Sequence, residues 1–181
     1  MTGAGQPGLF RSGRRFLQVT PLRTASLRRL SREEGRAFAR EVQSRGGVVV
    51  FTNGVFDLLH PGHVRYLREA RGLGDALIVG VNSDRSVRAN KGPDRPINRA
   101  EDRVEILLAL AVVDAVVVFD EDTPLDTITS IEPDILVKGA DWAPDNIVGR
   151  DVVEARGGRV VRLELAQGFS TTSLIPRARR K

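Results

Sequence analysis

The 181 residues predict a Rossmann-like, doubly wound α/β fold: a mostly parallel five-stranded sheet with helices on both faces. Three observations carry that expectation. Five short apolar runs read as strands, and segments of helical periodicity or helix-start chemistry separate them. Strands that alternate with helices make a parallel sheet covered on both sides, and right-handed crossovers wind it doubly. The length suits one ordinary domain with a real core and would cramp a second.

The elements follow in order. Residues 1–21 mix Gly, Arg, Ser, Gln and Pro with scattered apolar residues and predict a disordered basic tail, without the apolar core of a signal peptide. Residues 22–46 predict a helical extension: Ser31-Arg32-Glu33-Glu34 is a capping box, Phe38 and Val42 share a face, and Gly46-Gly47 closes the helix. The main domain is expected over 47–176. Val48 to Phe51 is its first strand, Pro61 to Leu73 a helix and Ala76 to Val81 the second strand. A short helix over 83–89 and a loop over 91–98 lead to a helix from Arg99 to Ala111, with Val104, Leu107, Leu108 and Ala111 on one face. Ala115 to Phe119 is a strand, Pro124 to Ile131 a helix begun by proline, Ile135 to Val137 a strand, 145–155 a helix and Val160 to Leu163 a strand. A basic tail, 177–181, ends the chain.

Composition narrows the function classes. Hydrophobic residues make 41% and charged residues 28%, the balance of a soluble globular protein. No apolar run approaches the ~18 residues of a membrane span. The chain lacks cysteine, which excludes disulfides, thiolate metal sites and a cysteine nucleophile, and fits a cytoplasmic location. The net charge of +5 invites a nucleic-acid reading, but the ends carry it: residues 47–176 hold fourteen basic and twenty acidic side chains. Lysine occurs only at Lys91, Lys138 and Lys181.

In an open α/β sheet, ligands bind beyond the carboxyl ends of the strands. After the first strand comes Thr52-Asn53-Gly54-Val55-Phe56-Asp57-Leu58-Leu59-His60-Pro61-Gly62-His63, which contains both histidines of the chain. Pro61 suits the first helical position, so both imidazoles are expected at a helix N-terminus, where backbone N–H groups favour anions. Gly54 and Gly62 allow close backbone approach. Imidazoles among such donors suit the stabilisation of phosphate charge. Bland alternatives are satisfied core histidines, or a metal site of Asp57, His60 and His63; no dedicated metal site is expected, because Pro61 and Gly62 split the set and no other His or Cys exists. Gly72-Leu73-Gly74 follows a helix and precedes a strand, the wrong context for a dinucleotide loop. Ser170-Thr171-Thr172 before Leu174 and Ile175 reads as a capped helix start and a phosphate site, or as an ordinary cap. Asp120-Glu121-Asp122 reads as a solvated loop.

The segment from Gly54 to His63 resembles the first signature of the H-x-G-H, cytidylyltransferase-like nucleotidyltransferase superfamily. Val81-Asn82-Ser83-Asp84, Lys91-Gly92-Pro93, Arg95-Pro96-Ile97-Asn98, the helix with Arg103 before Val113-Asp114, Asp134 to Trp142, and Phe169 to Ile175 resemble its sugar-phosphate branch, nearest to the heptose 1-phosphate adenylyltransferases. Ile175 stands where the superfamily often has an arginine, and Pro176 limits the last helix.

The resemblance implies transfer of AMP from ATP, with Mg²⁺, to a sugar 1-phosphate such as D-glycero-β-D-manno-heptose 1-phosphate. It implies His60, His63, Lys91 and Lys138 as catalytic. Thr52, Asn53, Gly54, Val55, Phe56, Gly62, Arg103, Gly139, Ser170, Thr171 and Thr172 would bind nucleotide, and Asp57, Asp84, Asp141 and Trp142 the acceptor, with orientation of its loop as a second role for Asp57, and stacking on a base or plain packing as alternatives for Trp142. It further implies a homodimer, with no nucleic-acid or membrane partner. The rivals are a nucleotidyltransferase for another base or polyol phosphate, and a non-catalytic nucleotide- or nucleic-acid-binding module that uses the basic ends.

Overall fold

The computed structural model describes residues 28–164. The tails, residues 22–27, Ser170, Thr171, Thr172 and the last helix start all lie outside the described residues. The elements are β1 (Arg29–Leu30), α1 (Arg32–Ser44), β2 (Val49–Gly54), α2 (Pro61–Arg71), β3 (Ala76–Asn82), α3 (Asp84–Lys91), α4 (Ala100–Leu108), β4 (Ala115–Phe119), α5 (Leu125–Ile131), β5 (Ile135–Gly139), α6 (Arg150–Ala155) and β6 (Arg159–Leu163). All pairings are parallel, in the order β1-β4-β3-β2-β5-β6.

The sheet has six strands where five were expected. The extra one, Arg29–Leu30, pairs with Val116 and Val117 at the sheet edge, and two residues are too few for a periodic signal. Each central strand sends alternate residues to opposite faces, as the pleat requires. Val50, Leu77, Val79, Val81, Val116, Ile135 and Val137 pack under α2 and α4, against Tyr66, Leu67, Ala70, Val104 and Leu107. Val49, Phe51, Ile78, Ala115, Val117 and Leu136 face α1, α5 and α6, against Ala39, Ile128, Ile131 and Val153. Helix α1 is thus one of the covering helices. Its capping box is intact: Glu34 N–H donates to the Ser31 hydroxyl and Ser31 N–H to the Glu34 carboxylate.

The helix expected over 145–155 is broken into a 3₁₀ turn, Pro144–Asn146, and α6. Gly149 separates them at φ 83, and a Cβ there would stand 2.8 Å from Ile128 Cδ1. Close approach to α5 sets the break.

At the amino edge of the sheet, aspartates receive backbone groups that the ladder leaves over. Val48 N–H donates to Asp75 at 2.8 Å, Leu77 N–H to Asp114 at 2.8 Å and Val49 N–H to Asp134 at 2.7 Å. Asp134 also accepts from Gln43 Nε2 at 3.1 Å, which ties α1 to the start of β5. Asp134→Ala strands the N–H of fully buried Val49 and is expected to cost roughly 1–3 kcal/mol. Urea unfolding should show a lower midpoint at unchanged slope, and Asp134→Asn, which keeps an acceptor oxygen, should lose less.

Candidate active site

At the carboxyl edge, β2 has β3 on one side and β5 on the other, so the connections leave it in opposite directions. A crevice forms at such a switch point. The β2–β5 ladder runs to the pair Thr52–Val137. One residue further, Lys138 Nζ donates to Asn53 Oδ1 across the gap. Burial pushes the Lys138 ammonium down to about 8, and its Nζ lies 5.9 Å from the Trp142 ring centroid. Thr52 secures the ladder's end from below. Its hydroxyl donates to the Val137 carbonyl at 3.0 Å and therefore accepts from the Tyr66 hydroxyl at 2.7 Å. Burial and the Asp141 charge push Tyr66 up to about 12, so it stays a donor.

The loop after β2 ends at His60, the N-cap of α2, with Pro61 at the first helical position. His60 is extended (φ −140, ψ 167), and its Nδ1 accepts the His63 N–H at 3.3 Å. A neutral imidazole that accepts at Nδ1 carries its proton on Nε2. The His60 and His63 rings stack, 3.7 Å between centroids and 16° between planes. Burial lowers His60, while burial and the neighbouring His60 hold His63 down to about 4. Both are therefore neutral near pH 7. The positive character at this helix start comes from N–H donors and the helix dipole rather than imidazolium. Gly62 is buried in the first turn of α2.

Several expected ligand contacts turn out to be internal supports. Arg103 is 1% exposed. Its Nε donates to the Asn98 carbonyl at 3.0 Å, one terminal nitrogen to the Val55 carbonyl at 2.7 Å, and the other to Asp84 Oδ1 at 2.8 Å. Where a nucleotide contact was expected, the guanidinium is enclosed by acceptors of the protein itself. Asp84 accepts from Ala100 N–H as well, at 2.8 Å, so the oxygen expected on a sugar holds α4 to α3. Asp57 is 2% exposed. Its carboxylate accepts from the N–H groups of Ile97 and Asn98, each at 2.9 Å, and from Arg95 Nε at 2.6 Å. Against the opposing cost of burial, those donors hold it below the usual carboxylate range. Asp57 fastens the loop before α4, the loop-orienting one of its two expected roles, and this engagement also removes it from a metal set with His60 and His63. The Thr52 hydroxyl is consumed in the same sense. The Phe56 ring, 7% exposed, faces the protein and offers a nucleotide almost no wall.

Among the described residues, no group of three or more His, Cys, Asp or Glu is placed to hold a metal ion. Gly54 and Gly139 close β2 and β5, Asp141 and Trp142 are exposed just beyond β5, and Lys91 is exposed at the end of α3. The structure thus brings together His60, His63 and Phe56 by ring contact, and Asn53, Lys138 and Trp142 at the switch point. Asp120 and Glu121 have partners: Asp120 takes Ser83 and Arg85, and Glu121 takes Arg32.

Sequence reasoning gave no role to Asn98, Arg95 or Tyr66. A signal existed for Tyr66, the chain's one tyrosine, which lies on the apolar face of its helix where a hydroxyl needs a partner. Asn98 and Arg95 fell within a motif of the resemblance, but their contact was not legible, since their partner Asp57 is about forty residues away.

Residues 51–174 match the cytidylyltransferase-like family. The chain is 55% identical over 146 residues to the "Bifunctional protein HldE" of Syntrophotalea carbinolica, covering 81% of this chain and 30% of that protein. It is 58% identical over 139 residues to the HldE of Citrifermentans bemidjiense, covering 77% and 28%. The chain thus spans under a third of these relatives' length. Among solved structures, the lipopolysaccharide core biosynthesis protein from Thermoplasma volcanium superposes with a TM-score of 0.58 at 33% identity, over 67% of this chain and all of that one. A protein from Archaeoglobus fulgidus, at 21% identity and TM-score 0.52, shares the fold. With an H-x-G-H segment at the N-terminus of α2, a six-stranded parallel sheet and a family match over most of its length, the chain belongs to the cytidylyltransferase-like family of nucleotidyltransferases.

Proposed function

We propose that this chain is an adenylyltransferase that joins AMP from ATP to a sugar 1-phosphate, D-glycero-β-D-manno-heptose 1-phosphate, and releases pyrophosphate. The observation that carries the reading is the stacked His60–His63 pair at the N-terminus of α2, on the carboxyl edge of the sheet. The sequence match to the sugar-phosphate branch, and a relative whose name places it in lipopolysaccharide core biosynthesis, support a sugar acceptor.

The reaction is a direct in-line displacement. An oxygen of the acceptor's phosphate attacks the α-phosphorus of ATP, the bond to the bridging oxygen breaks, and pyrophosphate leaves with that electron pair. The acceptor phosphate is already ionised, so no side chain need act as nucleophile or base. Catalysis rests on positioning and on donors aimed at developing charge. His60, with its proton on Nε2, and His63 donate to α- and β-phosphate oxygens. Lys138, held by Asn53, and Lys91 from the end of α3 oppose the charge of the leaving pyrophosphate. The backbone from Asn53 to Phe56 lines the nucleotide, Gly62 and Gly139 let phosphate come close, and Ser170, Thr171 and Thr172 take the β- and γ-phosphates. Asp141 and Trp142, exposed beside Lys138, face the acceptor. Mg²⁺, carried in with ATP, would supply charge neutralisation there. The reading includes a homodimer in the cytoplasm, and Ile97 and Ile106, 48% and 43% exposed, are apolar side chains available to a second copy.

Pyrophosphate release from ATP, CTP and GTP against α- and β-heptose 1-phosphates and a polyol phosphate tests the substrate pair. ATP with the β-anomer should turn over fastest, and a preference for CTP would overturn the adenylyl assignment. His63→Ala should lower kcat by roughly a hundredfold, about 3 kcal/mol, as loss of one transition-state donor does. Folded His63→Ala with near-normal turnover would defeat the mechanism. Tight, salt-sensitive binding of RNA or DNA without any turnover would favour a binding module instead.

The neutral imidazoles also fix a pH dependence. His63 has a pKa of about 4 in the fold against 6.5 ordinarily. Above pH 6.5 neither the folded nor the unfolded chain binds that proton. As pH falls from 6.5 to about 4 the unfolded chain takes it up first, so stability is lost across that window, by roughly 3 kcal/mol at most. Asp57, held below the ordinary 3.8, adds its own loss only below this window. Urea midpoints at pH 7 and pH 5 should therefore lie closer together in His63→Gln than in the parent chain.

A further inference from the structure

Phe56 has φ 49, one of two positive values among the non-glycine residues described. A bulky side chain avoids that left-handed region because its Cβ crowds the backbone. Such a conformation persists where its surroundings over-determine it, and here hydrogen bonds hold the peptide before Phe56 and the residue after it. The Val55 carbonyl accepts from Arg103 at 2.7 Å. On the other side, the Asp57 carbonyl accepts from Asn98 Nδ2 at 2.7 Å, and the Asp57 carboxylate is fastened to Arg95, Ile97 and Asn98.

The clamp determines where the ring goes. It lies over Gly54, where a Cβ would stand 3.0 Å from Phe56 Cε2, so glycine makes the room. It meets His63 edge-on, 5.3 Å between centroids and 61° between planes. His63 in turn stacks on His60. An extended Phe56 would carry its Cβ to another side of the backbone and leave His63 without this cover.

We propose that Phe56 is a positioning residue: its left-handed turn, clamped by Arg103 and Asn98, sets the ring against His63 and holds the imidazole pair in place for phosphate. The inference rests on the phosphate-binding role given to that pair above. It assigns the loop before α4 a part in the reaction without contact to substrate. Arg103 and Asn98 act through backbone carbonyls, and Phe56 acts through His63.

The chain has two histidines, so both imidazoles can be followed by NMR through a pH titration without substrate. Phe56→Gly keeps a residue at ease in the left-handed turn and removes the ring. It should stay folded, its His63 midpoint should rise towards the ordinary value as water reaches the ring, and kcat should fall roughly tenfold or more with the KM for ATP held within about twofold. Asn98→Ala keeps the ring, loosens the clamp and should move both readouts the same way by less. A purely structural role would lower the melting temperature and leave the His63 midpoint and the kcat of the folded fraction alone. An unchanged His63 midpoint in Phe56→Gly overturns the proposal, and if that variant does not fold, an unchanged midpoint in Asn98→Ala does so. A raised midpoint with parental turnover would keep the packing role and instead overturn the catalytic reading of His63.

Discussion

The buried guanidinium of Arg103 is the constraint on which the site depends. A charge taken out of water must find acceptors for its donors. The Arg103 acceptors come from three separate segments: the loop after β2, the approach to α4 and the first turn of α3. Asp57 is the same arrangement with the sign reversed, a buried carboxylate met by donors from Arg95, Ile97 and Asn98. The two charges do not pair with each other. Each cross-links the H-x-G-H loop to the segment before α4, once through a main-chain carbonyl and once through a side chain. Neither loop can shift without leaving a buried charge short of partners, so the placement of His60 and His63 follows from the packing of α4.

The charge balance takes on a different meaning beside that geometry. The stretch 47–176 is acidic, yet the proposed ligand is a polyanion. The histidine pair does not answer with full positive charges. Its imidazoles are neutral near pH 7, and burial draws Lys138 down to about 8. Oriented donors remain: the N-terminus of α2, the Nε2 proton of His60, and a lysine held against an amide oxygen. Donors fixed by the fold need no reorganisation when charge develops.

The fold was legible because its signals are local. Capping at Ser31, proline at the first turn of α2, and the apolar runs of β2 to β6 each report on neighbouring residues. The two-residue β1 and the break at Gly149 were not legible, since one depends on pairing with β4 and the other on contact with Ile128. The histidine pair could be read for the same reason as the helices, being a short-range pattern at a helix start. The supports could not. Arg103 lies four residues before buried Leu107, on a helical face whose burial was foreseeable, but its farthest acceptor, Val55, is 48 residues away. Motif resemblance marked Arg103, Asp57 and Asp84 as important without showing what they touch, because one position can matter through substrate or through the loops that bind it.

The two non-glycine residues with positive φ sharpen that distinction. Glu132, at φ 56, ends α5 in the left-handed turn that commonly closes a helix. Its carbonyl accepts from Gln43 and its carboxylate pairs with Arg156 at 3.1 Å, all at the amino edge of the sheet. The fold alone accounts for it, since the chain must turn from α5 into β5. Phe56 closes no helix. A glycine or asparagine would make its turn at less cost, and the clamps that hold it do nothing for the sheet ladders. Local rules broken without local benefit are expected where a structure serves function. Both outliers are well supported by hydrogen bonds, so support does not separate them. What separates them is that Phe56 transmits its conformation to an imidazole at the carboxyl edge, while Glu132 transmits its own only to the next strand.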